Sequence, residues 1–336
     1  MRVGVIGAGS WGTALAKLAA EAGHEVAIWA FEPEVAEQIN GRRQNETYLA
    51  GVQLPPLQAS SALGDVVRGR ELLLSVVPSH VVREIWTSAG PLIEGEPLLV
   101  SATKGIEKVT LATMVEVLRE AVPRRIHNSL AALSGPSFAV EVAQRRPTAV
   151  VVAARTPAVA EQVQRALSTD RFRIYTSDDV AGVEVGGASK NVVAIATGIA
   201  DGLGMGNNSR AALITRGLAE ITRLAVAKAA NPLTLAGLAG VGDLVLTCTG
   251  ELSRNRSVGL KLGQGQSLTQ ILAGRHTVAE GINSAESCHH LARRLGVEMP
   301  ITEAVHAVLH QGTPPLEALS QLMGRQLRPE REVAKP

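Results

Sequence analysis

Up to Thr176 the chain repeats one rhythm: a short run of consecutive apolar residues, a turn marked by glycine, proline or polar residues, then a stretch with apolar positions three and four apart. The runs predict strands at 3–6, 26–29, 72–76, 98–101, 130–133, 149–153 and 173–176. They are continuous rather than alternating, the pattern of parallel strands covered on both faces by helices. Helical spacing between them covers 13–22, 109–121 and 157–167, with glycine or proline stops. Beyond Asp178 the β-branched runs give way to long Ala-, Gly- and Leu-rich stretches that predict helices over 180–200, 209–229, 232–238, 268–273, 284–295 and 303–309. The expected architecture is an α/β doubly wound sheet in residues 1–178 followed by an all-α domain in 179–325. The charged end of the chain, 326–336, reads as a flexible tail.

Composition narrows the function. The length of 336 residues is enough for about two domains with sizeable cores. With 33 Lys+Arg against 31 Asp+Glu the net charge is only +2, and aromatics make up 2%. Neither a polycationic surface nor a base-stacking platform is present, so no nucleic-acid partner is expected. Cys248 and Cys288 stand 40 residues apart without a second CxxC pair, and read as small buried hydrophobes in a reducing compartment. The N-terminus lacks a signal-peptide pattern, and no apolar run approaches the roughly 18 residues of a membrane span. A cytoplasmic protein without membrane insertion is expected.

The chemistry begins at Gly7-Ala8-Gly9-Ser10-Trp11-Gly12, which follows a predicted strand and opens a predicted helix. Gly7 permits a tight turn, Gly9 lets the backbone approach a pyrophosphate, and Gly12 lets helix and strand pack closely; the helix N-terminus then receives the phosphates. This predicts a Rossmann-like, dinucleotide-binding N-terminal half. Glu32 lies twenty residues beyond Gly12, where an acidic side chain would meet the adenosine ribose, although a strand ending at Trp29 would equally make it a helix cap before Pro33. No cation occupies 30–32 to pair with a 2′-phosphate, which tilts the expected cofactor from NADP towards NAD.

Lys190 is a lone cation in an apolar helical stretch, with Gly186 and Gly187 at i−4 and i−3 on its own face. Two readings fit it. Either a desolvated ammonium stands beside a side-chain-free patch with room for a small substrate, or the stem packs while the head reaches solvent. Asp243 is one carboxylate among apolar residues and reads either as a site group or as a helix N-cap. Ser253-Arg254-Asn255-Arg256 combines donors suited to phosphate, or is a solvated basic turn. Lys104, just past a predicted strand end, stands where open α/β sheets bind ligands. The eight histidines have no metal-ligand spacing, and the adjacent His289 and His290 are expected on different helix faces. No metal is therefore expected.

Taken together these motifs resemble the soluble bacterial NAD(P)-dependent glycerol-3-phosphate dehydrogenases. The resemblance runs through VIGAGSWGTALA (5–16), VVPSH (76–80), ATKG (102–105), LSGPSFAVEVA (133–143), GGASKNVVAIATGIADGLGMGNN (186–208), ALITRGLAE (212–220), GVGDLVLTCTGELSRNR (240–256), VAEG (278–281) and GVEMPIT (296–302). It implies NAD(P)H-dependent reduction of dihydroxyacetone phosphate to sn-glycerol 3-phosphate, a precursor of glycerophospholipids. Lys190 would exchange the proton at the substrate carbonyl, with Asp243 and Lys104 around the same oxygens. Gly135, Ser137, Ser253, Arg254 and Asn255 would complete the site for this small phosphorylated substrate. Ser10, Trp11, Phe31, Lys104, Ala139, Arg254, Val278 and Glu280 fall at the cofactor positions, beside Gly7, Gly9 and Gly12. Many family members carry a basic residue or histidine within 30–32, where this chain reads Ala30-Phe31-Glu32. A related hydroxyacid or 6-phosphogluconate-type dehydrogenase, or a non-catalytic nicotinamide sensor, would share the glycine fingerprint without this set of motifs. The apolar Ala/Gly-rich helical half offers a face for a homodimer.

Overall fold

The computed structural model describes residues 1–273 and 279–330. The first half alternates strands and helices: β1 (Arg2–Ile6), α1 (Ser10–Glu21), β2 (Glu25–Trp29), α2 (Pro33–Arg42), β3 (Gln58–Ser60), α3 (Leu63–Val67), β4 (Leu72–Ser75), α4 (Val82–Ala89) and β5 (Leu98–Ser101). It continues with α5 (Met114–Ala121), β6 (Leu130–Ser134), α6 (Ala139–Ala143), β7 (Thr148–Ala154), α7 (Pro157–Leu167) and β8 (Phe172–Ser177). The described remainder is helical: α8 (Val180–Gly202), α9 (Gly206–Ala227), α10 (Pro232–Leu235), α11 (Asp243–Thr249), α12 (Arg254–Gly263), α13 (Leu268–Leu272), α14 (Glu280–Leu295), α15 (Pro300–His310) and α16 (Pro315–Met323).

The eight strands form one sheet in the order β3-β2-β1-β4-β5-β6-β7-β8. Its central strands are buried along their length, as the continuous apolar runs predict: Val3, Val5, Leu72, Leu74 and Val100 face one layer of helices, while Ile6, Leu73 and Leu99 face the other. The expectation of parallel strands needs one correction. β6 and β7 pair antiparallel, Ala132 opposite Ala153, so β7 and β8 run against the rest. Both β6 and β7 are covered on two faces, so their composition carries no sign of direction.

Other differences are local. β3 is three residues long and polar at both ends, too short for an apolar run. The helix expected over 109–121 starts only at Met114, because a bridge between Ile106 and Thr113 closes a turn in which Leu111 has φ 61°. The helix expected over 232–238 stops at Leu235. The segment Pro232–Thr249 has a mean hydropathy of 1.4, in the range of a membrane span, yet it breaks at Gly240 (φ −99°, ψ −105°). In the described part of the expected tail, Arg328 pairs with Glu298 at 2.6 Å.

The second hydrophobic core gathers around α8, whose Val185, Val192, Val193, Ile195 and Ile199 contact Ile221, Leu224, Leu244, Val258, Leu291 and Val305 from the surrounding helices. With nearly all of α8 buried, a polar residue on it must find a partner inside the protein.

Candidate active site

The site gathers at the C-terminal ends of β1, β4, β5 and β6, where an open parallel sheet leaves a crevice. At the end of β1, Gly7 adopts φ +119°, and a side chain at Gly12 would put its Cβ 1.8 Å from the Gly7 carbonyl oxygen. Both positions therefore require glycine. A Cβ at Gly9 would meet nothing within 4 Å, so this side of the loop is open. Gly9 is the N-cap of α1 and brings no side chain to its free N–H groups, which leaves them for an anion. These features fit the pyrophosphate of a dinucleotide.

A segment without any motif of its own braces this loop. Asn45, fully buried, donates to the Ala8 carbonyl at 2.8 Å and to Thr13 Oγ1 at 2.8 Å, while Ser10 Oγ donates to the Tyr48 carbonyl at 2.5 Å. Past β2, Ala30 is fully buried and Phe31 is 73% exposed with its ring edge-on to Trp29. Glu32 is the residue preceding α2 and also accepts a 2.7 Å bond from the Tyr48 hydroxyl. Burial, reinforced by this carboxylate, pushes the Tyr48 phenol up to about 12. Glu32 thus occupies the N-cap position of α2 without a side-chain cap bond, and its carboxylate is held by Tyr48 instead.

Across the crevice, Lys190 does not reach solvent. It is 6% exposed, and its ammonium donates to Asp243 Oδ1 at 2.5 Å and Thr247 Oγ1 at 2.8 Å. Asp243 Oδ2 accepts from Lys104 Nζ at 2.7 Å, so one fully buried carboxylate is shared between cations from the two halves of the chain. Lys104 also donates to the Gly135 carbonyl at 3.0 Å, which Ser137 Oγ reaches at 2.9 Å. Burial lowers the Lys190 pKa to about 8, with Asp243 opposing the shift and Lys104 adding to it.

Asp243 reaches this place through a π-helical turn, Leu238–Gly242, immediately before α11. The glycines beside Lys190 accommodate that packing and do not leave room for substrate, which corrects the sequence reading. A Cβ at Gly186 would stand 2.5 Å from the Ala239 carbonyl oxygen, and one at Gly187 would stand 2.6 Å from Ser134 Oγ. Asp243 is not an N-cap either: it is the first residue of α11, and its carboxylate goes to the lysines.

The quartet 253–256 divides its tasks rather than forming a solvated turn. Ser253 caps α12 by accepting from the Arg256 N–H at 3.2 Å. Arg256 turns inward to Asp201 at 2.7 Å. Asn255 is buried between Asn191, to which it donates at 2.9 Å, and the Gly281 N–H, from which it accepts at 2.9 Å. Arg254 is exposed at the first position of α12 and makes no ion pair within 4.0 Å among the described residues. Crowding by protein lowers its pKa, against the effect of the Glu280 charge.

Glu280, the first residue of α14, accepts from Ser79 N at 3.1 Å and Ser79 Oγ at 2.7 Å. Ala139 begins α6, and Trp11 lies partly buried in the first turn of α1. Val278 lies outside the described residues. Thr247, Asn191, Ser79 and Tyr48 join the constellation only through the fold. The one signal for them in the chain is the helical periodicity that sets Thr247 one turn after Asp243.

The histidines correct another expectation. His289 and His290 lie with ring centroids 5.4 Å apart, and His289 stacks on His306 at 4.1 Å with His310 beyond it. Only His289 and His306 stack, while His290 meets both of them edge-on, and no metal-binding group of three occurs among the described residues.

The chain matches two family models: the NAD-dependent glycerol-3-phosphate dehydrogenase N-terminus over residues 2–160 and the corresponding C-terminus over 179–320. It is 54% identical over 330 residues to the NAD(P)+ glycerol-3-phosphate dehydrogenase of Geobacter sp. strain M21, covering 98% of each chain. The same enzyme of Myxococcus xanthus strain DK1622 is 52% identical over 335 residues, covering 99% of each. Among solved structures, the glycerol-3-phosphate dehydrogenase of Coxiella burnetii superposes with a TM-score of 0.91 at 39% identity, over 96% of this chain and 99% of that one.

Proposed function

The chain belongs to the NAD-dependent glycerol-3-phosphate dehydrogenase family, and from that premise we propose how its own residues carry the reaction. The reaction is reduction of dihydroxyacetone phosphate to sn-glycerol 3-phosphate with NAD(P)H, and its reverse. When bound, the nicotinamide supplies the hydride. Lys190 holds the proton destined for the substrate's carbonyl oxygen, and a pKa near 8 suits a group that must give and retake it near neutrality. Lys104 brings a second positive charge towards the developing alkoxide. Asp243, with one oxygen on each ammonium, fixes their separation and direction. This shared carboxylate is the observation that carries the proposal.

The phosphate end falls to Arg254, Ser253 and Asn255, with Gly135 and Ser137 lining the opposite rim. Ser253 Oγ accepts from backbone as a cap, so its own O–H is free to donate to a phosphate oxygen. The dinucleotide lies along Gly7, Gly9, Ser10, Trp11 and Gly12, with Phe31, Lys104, Ala139, Arg254, Val278 and Glu280 along its length. A carboxylate at Glu32, fixed by Tyr48 and with no cation at 30–32, favours NADH over NADPH by repelling a 2′-phosphate. Residues 1–178 form the dinucleotide-binding domain and 179–325 the substrate domain. The reaction supplies glycerophospholipid synthesis in the cytoplasm, and the enzyme acts as a homodimer through its helical half.

Loss of reduced-nicotinamide absorbance with dihydroxyacetone phosphate tests these roles, in parallel for NADH and NADPH, on wild type and Lys190→Ala. Wild-type turnover, faster with NADH, and a Lys190→Ala variant that still binds cofactor but barely turns over are expected. A variant with undiminished turnover would remove Lys190 from the chemistry, and faster NADPH oxidation would overturn the role given to Glu32.

A further inference from the structure

Ser79 stands at the end of β4 just past Pro78 and is 4% exposed. It takes both oxygens of the Glu280 carboxylate, one by its N–H and one by its hydroxyl. Gly105 makes room for this grip, since a Cβ there would fall 2.4 Å from Ser79 Cβ. The grip spans the crevice, joining a loop of the sheet half to the first residue of a helix in the other half.

Arg254 is brought to the same place, because its neighbour Asn255 accepts from the N–H of Gly281, the residue after Glu280, at 2.9 Å. Glu280's charge acts on it, yet the two do not form an ion pair within 4.0 Å. A carboxylate released next to a guanidinium pairs with its fork, often through two parallel hydrogen bonds, and that fork is the surface a phosphate would use. We propose that Ser79 is a positioning residue: it holds the Glu280 carboxylate off Arg254 and so keeps the guanidinium open to the anionic substrate. This rests on the assignment of Arg254 to the phosphate end made above.

The test is steady-state kinetics at saturating NADH with dihydroxyacetone phosphate varied, on wild type, Ser79→Ala, Glu280→Gln, Ser79→Ala/Glu280→Gln and Arg254→Ala. Alanine keeps the Cβ that packs on Gly105 and removes only the hydroxyl. Loss of one hydrogen bond to a charged group predicts a KM raised about ten- to hundredfold with kcat changed less than about twofold. Glutamine carries no charge to pair with Arg254, so the double variant is expected to return to the KM of Glu280→Gln alone. An unchanged KM in Ser79→Ala, or a raised KM that Glu280→Gln fails to reverse, overturns the role of Ser79 while leaving Arg254 in place. An Arg254→Ala variant with wild-type KM overturns the assignment of Arg254 and this inference with it. Thermal melting accompanies each variant; if Ser79→Ala does not fold, Ser79→Cys, with the same shape and a weaker donor, takes its place in the comparison.

Discussion

A buried ammonium between a carboxylate and a threonine hydroxyl is under two opposed influences, and their balance sets where Lys190 titrates. Burial disfavours the charge more than Asp243 restores it, leaving the pKa at about 8. The reduction direction needs the protonated form, so its kcat is expected to fall as pH rises through about 8, while oxidation of glycerol 3-phosphate rises through the same range. Asp243→Asn removes the influence that raises the Lys190 pKa, so the limb is expected to move to lower pH. Turnover is expected to drop roughly 100- to 1,000-fold as the two ammonium groups lose their shared anchor. A pH–rate profile of the variant decides the matter, since a limb that stays in place belongs to another group. At this scale the sequence was informative where a charge sits alone among apolar residues, as with Lys190 and Asp243. It was silent on Thr247, whose hydroxyl looks like any helical threonine until α11 is known to begin at Asp243. It misled at Gly186 and Gly187, because a missing side chain does not reveal what fills the space.

Elements meet through contacts that single residues do not announce. α8 and α12 pack backbone to backbone: a Cβ at Gly259 would stand 2.1 Å from the Ile195 carbonyl oxygen. An exposed helical Gly→Ala change gains up to about 1 kcal/mol, whereas forcing a methyl into packed backbone costs about 1–3 kcal/mol. The clash wins, so Gly259→Ala is expected to lower the melting temperature despite its better propensity; an equal or higher value would mean that α12 slides freely. Between α14 and α15 the histidine group adds a pH-dependent contribution. His306, 8% exposed, has its pKa lowered to about 4 by burial and by His289, His310 and His290, with Glu286 opposing; Glu303 and Arg293 also act on neighbouring His289. A lowered folded-state pKa means that the unfolded chain binds the proton first, so stability is lost as pH falls from about 6.5 towards 4. His306→Phe keeps a ring for His289 to stack on and is expected to recover about 1–2 kcal/mol at pH 5 relative to pH 8, measured by denaturant melts. Equal losses in both proteins would place the acid sensitivity elsewhere. Neither this cluster nor the antiparallel β7 was legible in the chain. Four histidines spread over 22 positions have no common period, and a doubly covered strand reads the same in either direction.

At the scale of the whole molecule, the sheet half and the helical half are joined by groups that cross between them: Lys104 to Asp243, Ser79 to Glu280, Lys228 to Glu116, and Glu184 to the start of α5. The change from strands to helices was legible, because β-branched runs stop where Ala- and Gly-rich helices begin; the joints were not, because each pairs residues tens to hundreds of positions apart. Glu184 is the most confined of them. From α8, six residues before Lys190, it accepts from Thr113 Oγ1 at 2.7 Å and the Val115 N–H at 2.8 Å, so a helix of one half caps a helix of the other. Those bonds and Lys228 favour the carboxylate, but burial outweighs them and raises its pKa to about 7. The sign is opposite to that of His306: with a folded-state pKa above the unfolded one, the native state holds the proton longer, and stability is lost as pH rises from about 4.5 to 7. Glu184→Gln does not titrate and keeps an acceptor for the Val115 N–H. Relative to wild type, its unfolding free energy is therefore expected to rise by about 2–3 kcal/mol between pH 5 and pH 8, whatever its value at either end. A difference that stays constant over that range would mean Glu184 is already ionised at pH 5, and that the joint between the halves is wet rather than buried.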